Sequence, residues 1–530
     1  MLGFNLQQLL ASMPSVSTVI GSNTVHHQYG SGGSAWTAVA SSKSCCEALT
    51  KSLGKNAVVF PYDAAYSQSM GSYFSLKNSD LSPNCIALPR SSQDVSLAVQ
   101  TLSLGAHAWE GQCQFGVRGG GHTPFKGAAS IDGGIVIDLL HMPTAGISPD
   151  HETITVSPST TWDLVYEALD VHNRSTLGTK VAGVGVGGAA TACGVSYFSP
   201  RYGYICDMVE NWEVVLATGD IVNANQHENA DLWKALRGGN NNFGIVTAIT
   251  LKTFEQGSFW GGQTFHSIDT RKEHFKNHAA LASAHPYDPY AHYINTLVLA
   301  NMTGGHWFIG NSIQYTKSDP PTSEPDVFKP FLETKRTPIF PGAPLDTLRV
   351  DNVTSFSREY AASTLYPQRW QFACISFAPD AEFMETFFQM ADKAMRQFVS
   401  LPGFKLILNY QPAPAIQLER QGAVDSLGPI QTEGNVVFIH WAVSYDQSVA
   451  EMDDAITETV QKLFKDANAR AKQLGVYRSF IQPTYADSWQ SPLEVRSKST
   501  IKEMIATSKK YDPLQVFQKQ VPGGFKLPSL

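Results

Sequence analysis

The chain has 530 residues, 43% of them hydrophobic and 16% charged, with a formal net charge of −7. That length accommodates two or three domains with sizeable cores, and the composition is that of a folded protein, which excludes a disordered chain. Its lysines and arginines are scattered rather than clustered, which excludes a basic footprint for nucleic acid or an anionic membrane, and no apolar run reaches the about eighteen residues that span a bilayer.

The first segment, "MLGFNLQQLLASMPSVSTVIGS", lacks a basic start, and Asn5, Gln7 and Gln8 interrupt its apolar stretch. It makes a poor signal peptide and leaves a secretory-pathway destination open. From about 40 to 255 short apolar runs alternate with helical patterns. "AVVFP" and "CIALP" read as strands, and "SSQDVSLAVQTLSLG" as a helix with Val95, Ala98, Val99 and Leu102 on one face and Gly105 closing it. "GIVIDLLHM" and "TITV" follow as strands, then a helix in "STTWDLVYEALDVH". Beyond a glycine-rich stretch, "WEVVLATGDIVNAN" reads as a hairpin about Thr218-Gly219-Asp220, "NADLWKALRGG" as a short helix and "FGIVTAITLKTF" as a strand. This region is α+β, in two parts divided near 115.

From about 256 to 480 longer strands with two-residue alternation take over, among them "HWFIGNSIQYT", "FKLILNYQP" and "NVVFIHWAVSYD". In "DAEFMETFFQMADKAMRQFVS", Phe383, Phe387, Ala391, Ala394 and Phe398 form the stripe of a helix lying on a sheet. An antiparallel sheet backed by helices is expected. The remaining segment, 481 to 530, ends in a helix that stops before Pro513. Seven cysteines (45, 46, 85, 113, 193, 206 and 374) show no C-x-x-C pair or zinc spacing, so no metal site is expected. The odd count leaves a free thiol, and Cys45 or Cys46 is placed to pair with Cys85 in an oxidising compartment.

Two glycine-rich stretches carry the chemistry. "GTKVAGVGVGGAATACG" contains G-x-G-x-x-G at Gly183, Gly185 and Gly188, the spelling of a Rossmann turn. That reading requires a buried strand before the first glycine and a helix after the last, yet the flanks are polar "VHNRSTLGTK" and a stretch broken by Gly194, Pro200 and Gly203. "FGVRGGGHTPFKGAASIDGGIVIDL" follows a strand with Gly119, Gly120 and Gly121, whose missing Cβ atoms let backbone N–H groups converge on an anion without a helix. Two such loops can hold the two phosphates of a dinucleotide.

Taken together, "VRGGGH", "IDGGIVIDL", "GVGVGG", "SPRYG", "DLWKALRGGNNNFGIVT" and "YDPLQVFQK" occur in an order and spacing that resembles the FAD-linked oxidases of the vanillyl-alcohol-oxidase superfamily, berberine-bridge-enzyme-like branch, of the fungal secondary-metabolism type. The resemblance runs from about 45 to the end. It implies a two-subdomain PCMH-type FAD-binding domain (40–255), a substrate domain over one face of the flavin ring (256–480) and a C-terminal segment returning to the FAD domain. It further implies FAD contacts from Arg118, Gly119, Gly120, Gly121, His122, Thr123, Val181, Gly183, Val184, Gly185, Gly187, Gly188, Gly194 and Val246. His122 takes the place of the histidine that bonds the flavin 8α-methyl carbon. Val181 takes the place of the cysteine that makes a second bond in many relatives, so one covalent bond is implied, and Cys193 lies too far along to replace it. Val184 stands where relatives gate oxygen, and a small residue there accompanies oxidases.

Hydride loss from a substrate carbon requires a base for the neighbouring proton. The family's catalytic carboxylate lies on a strand resembling "NVVFIHWAVSYD", and the alternation puts His440 in its place, with an ordinary pKa of about 6.5 suited to a base at neutral pH. Tyr410 in "LNYQP" and Tyr485 in "PTYAD" are further candidates; Thr484 replaces an Asn frequent in relatives. The implied function is an FAD-dependent oxidase passing electrons from a small organic substrate to oxygen. The alternatives are a cyclase that keeps the flavin fold as a template for a cycloaddition, and a binding protein without activity.

Overall fold

The computed structural model describes residues 35–108, 113–321, 323–362, 364, 367–418, 425–427 and 434–528. The N-terminal segment considered as a signal peptide lies outside them. A first sheet contains β1 (Val58–Val59), β2 (Cys85–Ala87), β3 (Phe115–Arg118) and β4 (Ile135–Asp138) in the order β1-β2-β4-β3, with β2, β4 and β3 parallel. Its strands are short continuous apolar runs because both faces are covered. The helix Ser92–Ala108 packs Val95, Ala98, Val99 and Leu102 on one face; it runs through Gly105 rather than stopping there.

The chain then forms β5 (Gly146–Ile147), β6 (Thr153–Val156), β7 (Arg174–Ser175), β8 (Val209–Val215), β9 (Ile221–Asn225), β10 (Ile245–Lys252) and β11 (Phe254–Glu255). Five of these make an antiparallel sheet ordered β5-β6-β10-β8-β9, while β7 pairs with β11. The expected division near 115 therefore falls inside the first sheet, at the start of β3, and the change of sheet comes between Asp138 and Gly146. Asp207, just before β8, is paired with Arg237 at 2.6 Å.

The third sheet consists of β12 (Phe259–Ser267), β13 (Ala291–Ala300), β14 (Trp307–Tyr315), β15 (Arg349–Asp351), β16 (Arg369–Phe377), β17 (Lys405–Ala413), β18 (Val436–Tyr445) and β19 (Tyr477–Arg478). All neighbours in the order β15-β12-β14-β13-β17-β18-β16-β19 are antiparallel. Helices Ala381–Met395 and Asp453–Gln473 cover one face, where Phe383, Phe387 and Phe464 meet Leu408, Tyr410 and Trp441. Each such buried side chain contributes about 1.5–3 kcal/mol. The opposite face is left for the site.

The helix Lys498–Tyr511 ends before Pro513, and beyond it a short helix, Val516–Lys519, and the tail rejoin the first sheet: Phe115 N–H donates to Gln520 O at 2.8 Å, and Phe517 and Val521 enter that core. Three disulfides link Cys45 to Cys113, Cys46 to Cys85 and Cys193 to Cys206, leaving Cys374 free and buried. Of the two pairings open for Cys85, the one with Cys46 forms. Among the described residues, no helix is long and apolar enough to cross a membrane.

Candidate active site

A cavity of about 1430 Å³ lies between the glycine loops and the open face of the eight-stranded sheet. That exceeds the about 300–1,000 Å³ of an ordinary small-ligand site and leaves room for a nucleotide and a substrate together. Gly119, Gly120, Gly121, His122 and Thr123 line it from the first loop; Val181, Val184, Gly185, Gly187 and Gly188 from the second; Gly194 and Val246 from behind.

The two loops touch through bare backbone. A Cβ on Gly120 would stand 2.6 Å from Gly185 Cα, and one on Gly185 would meet Gly120 Cα at the same distance. A strap at 158–162 fixes the second loop: Val186 N–H donates to Thr160 O at 2.9 Å and Gly187 N–H to Pro158 O at 2.8 Å. Gly188 is different, with nothing within 4 Å of where its Cβ would be, so the cavity reaches its main chain. A short helix, Val186–Thr191, begins inside the glycine stretch and takes in Gly187 and Gly188, since Ala189 and Ala190 bury against the second core, and it ends before Gly194. No βαβ unit surrounds it, because β7 before it is two residues long and pairs antiparallel with β11.

Two residues expected at the cofactor are turned away. Arg118 is 2% exposed behind the first loop, where its guanidinium donates to Ser69 O (2.6 Å), Ser72 Oγ (2.7 Å) and Asp138 Oδ2 (3.2 Å) and lies over the Tyr73 ring. Being adjacent to β4 in a parallel register, it meets Asp138 directly opposite, and a buried charge takes its buried partner before a ligand. Gly183, at φ +82°, donates its N–H to Asp163 Oδ1 at 2.9 Å outside the cavity wall.

His122 is half-buried and stacks on Phe74, with ring centroids 3.9 Å apart. Burial pushes its pKa down to about 4, so the imidazole is neutral at physiological pH. Cys193 is committed to Cys206 and cannot supply a second flavin bond. The bare loops, the volume and the neutral imidazole fit a flavin dinucleotide.

On that sheet, alternation puts Lys405, Ile407 and Asn409 of β17 toward the cavity and Leu406, Leu408 and Tyr410 toward the helices. Tyr410 is therefore not in the site: it is fully buried on the wrong face and its hydroxyl donates to Met384 O at 3.1 Å. His440 does line the cavity, opposite Asn409 in the β17–β18 register. Its ring stacks on Tyr485 at 4.2 Å and meets Phe372 edge-on at 4.5 Å. Burial, followed by the charges of Lys180 and His122, pushes its pKa down to about 3. The expected ordinary value near 6.5 does not hold, and His440 is a poor proton acceptor at neutral pH. Tyr485 occupies the turn Pro483–Tyr485, donates to Gln411 Oε1 at 3.3 Å and has a pKa raised by burial.

Sequence reasoning missed Lys180, Asn409, Gln411 and Tyr360. Lys180 Nζ donates to Gln411 Oε1 at 2.6 Å, and burial pulls its pKa down to about 7. Asn409 Oδ1 accepts from Thr296 Oγ1 at 2.7 Å and from the Tyr360 hydroxyl at 3.4 Å. The two-residue alternation that selected His440, carried across to β17, picks out Asn409; nothing in the sequence marks Lys180.

Residues 83–225 match a family described as an FAD binding domain. Over all 530 residues the chain is 82% identical to the FAD-dependent monooxygenase CTB5 of Cercospora beticola, covering 100% of each. The chain belongs to the family of FAD-dependent oxidoreductases that includes this fungal monooxygenase. Among solved structures of this fold, a berberine-bridge-enzyme-like protein of Physcomitrella patens superposes with a TM-score of 0.69 at 18% identity, over 91% of this chain and 100% of that one. The glucooligosaccharide oxidase of Acremonium strictum gives 0.68 at 20% identity, over 91% and 99%. As a member of this family, the protein is an FAD-dependent oxidoreductase whose relatives include fungal enzymes of secondary metabolism.

Proposed function

We propose that the protein is an oxidase that takes a hydride from a small, largely apolar, aromatic molecule, with oxygen as terminal acceptor and hydrogen peroxide as product. The observation that carries this reading is one continuous cavity with bare glycine backbone and His122 on one wall and an aromatic sheet face on the other. Bound FAD supplies the two-electron acceptor. Gly188 leaves its main chain open to the diphosphate, Gly120 and Gly185 let the two loops close on each other, and His122 carries the flavin covalently. Phe265, Val298, Phe308, Ile407 and Phe372 exclude water from the substrate. His440 holds a substrate oxygen, and the small Val184 on the wall leaves oxygen a path to the ring.

The relative from Cercospora beticola is named a monooxygenase, which favours a second reading in which one oxygen atom ends in the product. Both readings are tested on purified holoenzyme. Aryl alcohols and phenols are added under nitrogen, bleaching of the flavin is followed, and ¹⁸O₂ is then admitted. An oxidase gives one peroxide per product and no ¹⁸O in it, whereas a monooxygenase incorporates ¹⁸O. Conversion of a substrate without bleaching or oxygen uptake would sink both and leave the cyclase. Flavin that stays with the chain through acid precipitation, and leaves it in His122→Ala, supports the covalent link.

A further inference from the structure

The second loop brings a cation into an apolar wall, and among the described residues no carboxylate pairs with it. Lys180 precedes Val181, and its carbonyl is clamped by the Tyr197 hydroxyl at 3.1 Å. The clamp sends the side chain inward, where it is 5% exposed and still lines the cavity. Its Nζ donates to Gln411 Oε1 at 2.6 Å, and the same oxygen accepts from the Tyr485 hydroxyl at 3.3 Å, so both lone pairs of that carbonyl are taken. The titratable groups that face Lys180 are His440 from β18, His292 from β13, Tyr485 from the turn and Tyr197 below it. Burial lowers both histidines and raises both tyrosines, so all four are neutral at physiological pH. A buried ammonium held by a neutral amide alone gives up its proton readily, and burial brings Lys180 down to about 7. Lys405 also reaches the cavity, but it lies four residues along β17 from Asn409, about 13 Å away at strand spacing.

His440 cannot do the same work. Asn409 Nδ2 lies 3.2 Å from His440 Nδ1 and, with Asn409 Oδ1 occupied by Thr296 and Tyr360, it donates there. The ring proton is thereby fixed on Nε2, which is buried and without a partner among the described residues. Both residues line the cavity, His440 with its ring proton on Nε2 and Lys180 with its amine held by Gln411.

We infer that Lys180 is the proton acceptor of the reaction and that the substrate is an alcohol whose oxygen is held by His440 Nε2–H. The inference rests on the flavin-oxidation reading above. In this step the substrate O–H and C–H bonds break and a C=O bond forms. The proton goes to the lone pair of Lys180 Nζ, and the hydride, with its two electrons, goes to FAD as oxidant. The alcohol is oxidised by two electrons and the flavin reduced by two. Lysine suits the task because its free amine is a strong base on a stem long enough to reach past the loop.

The test needs no substrate at first. Holoenzyme is pulsed with trace acetic anhydride across pH 5–11, and acetylation of the Lys180 peptide is read by mass spectrometry beside that of exposed Lys462. Lys180 is expected to label with a midpoint near 7, and Lys462 near the ordinary value of about 10.4. A Lys180 midpoint above about 9 overturns the proposal. The second arm uses 4-nitrophenol as an acidic O–H probe. Bound to wild type just below its own pKa it is expected to ionise, transferring its proton to Lys180, and to remain un-ionised in Lys180→Met with the flavin retained. Equal ionisation in both proteins overturns the assignment. The parent reading fails separately: if alcohols never bleach the flavin while Lys180 labels near 7, the oxidase reading falls and the amine's ionisation stands.

Discussion

Asn409 Nδ2 faces His440 Nδ1 at 3.2 Å across the β17–β18 register, and this one contact decides which end of the imidazole carries the proton. Burial holds the ring neutral, and on the proposed reading His440 would donate a hydrogen bond to a substrate oxygen. Removing a preorganised donor of this kind typically costs about 10²–10³ in rate. His440→Phe is expected to slow flavin reduction by about 10²-fold and to leave the shape of its pH profile between 5 and 9 unchanged. Stopped-flow reduction under nitrogen measures both; an ionisation near 6.5 that disappears in the variant would mean that His440 titrates as a base after all.

The glycine loops give a pair of substitutions with opposite signatures. Gly120→Ala drives a methyl against Gly185 Cα, which is main chain and cannot swing aside. A loss of about 1–3 kcal/mol is expected, the usual cost of overpacking. Gly188→Ala meets nothing within 4 Å and lies within the helix Val186–Thr191, where alanine is favoured over glycine by up to about 1 kcal/mol. Its melting temperature without flavin should hold or rise while flavin content falls, because the methyl enters the space the cofactor needs. Thermal melts and absorbance ratios of the two proteins settle the matter; equal flavin content in Gly188→Ala and wild type would place the diphosphate elsewhere.

The frame was legible where pattern and burial coincide. The helix stripe of Phe383, Phe387 and Ala391, the strands 58–59 and 85–87 and the hairpin at Gly219 follow from local periodicity and turn chemistry, and each forms. Tyr410 shows the limit: parity along a strand is readable, but which parity faces the cavity depends on the helices that cover the other side. Arg118 shows another, since a charge beside a glycine loop reads as a ligand until its partner Asp138, twenty residues on, is seen opposite it. The short helix at Val186 was obscured by its glycines, whose low propensity is outweighed by packing of Ala189 and Ala190. Lys180 was invisible because its chemistry comes from Gln411 and Tyr485, which are distant in sequence.

Arg118 is expected to act on stability before it acts on flavin. Its pairing with Asp138 is buried on both sides, and Asp138 also accepts from Ser69 Oγ at 2.6 Å. Arg118→Met leaves that carboxylate without its counter-charge, a change that costs about 3–5 kcal/mol for a buried pair. The double variant Arg118→Met with Asp138→Leu should recover part of the loss, because no charge then stays buried alone. Chemical denaturation of the single and double variants measures the coupling, and additive losses would place Arg118 at the cofactor instead.

Acid stability draws on the histidines buried outside the cavity, His266, His292, His274 and His278, each lowered by burial, and the last two are the most deeply buried. His274 and His278 are fully buried on the helix Arg271–Ala282, and burial takes each down to about 3; among the described residues, neither ring nitrogen of His278 has a hydrogen-bond partner. His122 and His440 are also lowered, but they face the cavity and are only half-buried, so water there weakens their contribution. Unfolded histidines take up protons below about 6.5 and the buried pair does not, so the unfolded state binds more protons and stability falls with falling pH. The loss begins as pH drops through about 6.5 and continues toward 3, at up to about 3 kcal/mol per pH unit for the two together. His278→Phe keeps the ring volume beside Tyr293 and removes one titrating group. Urea unfolding at pH 7 and pH 5 should show a smaller difference in that variant than in wild type, and an unchanged difference would mean that His278 is protonated in the folded protein.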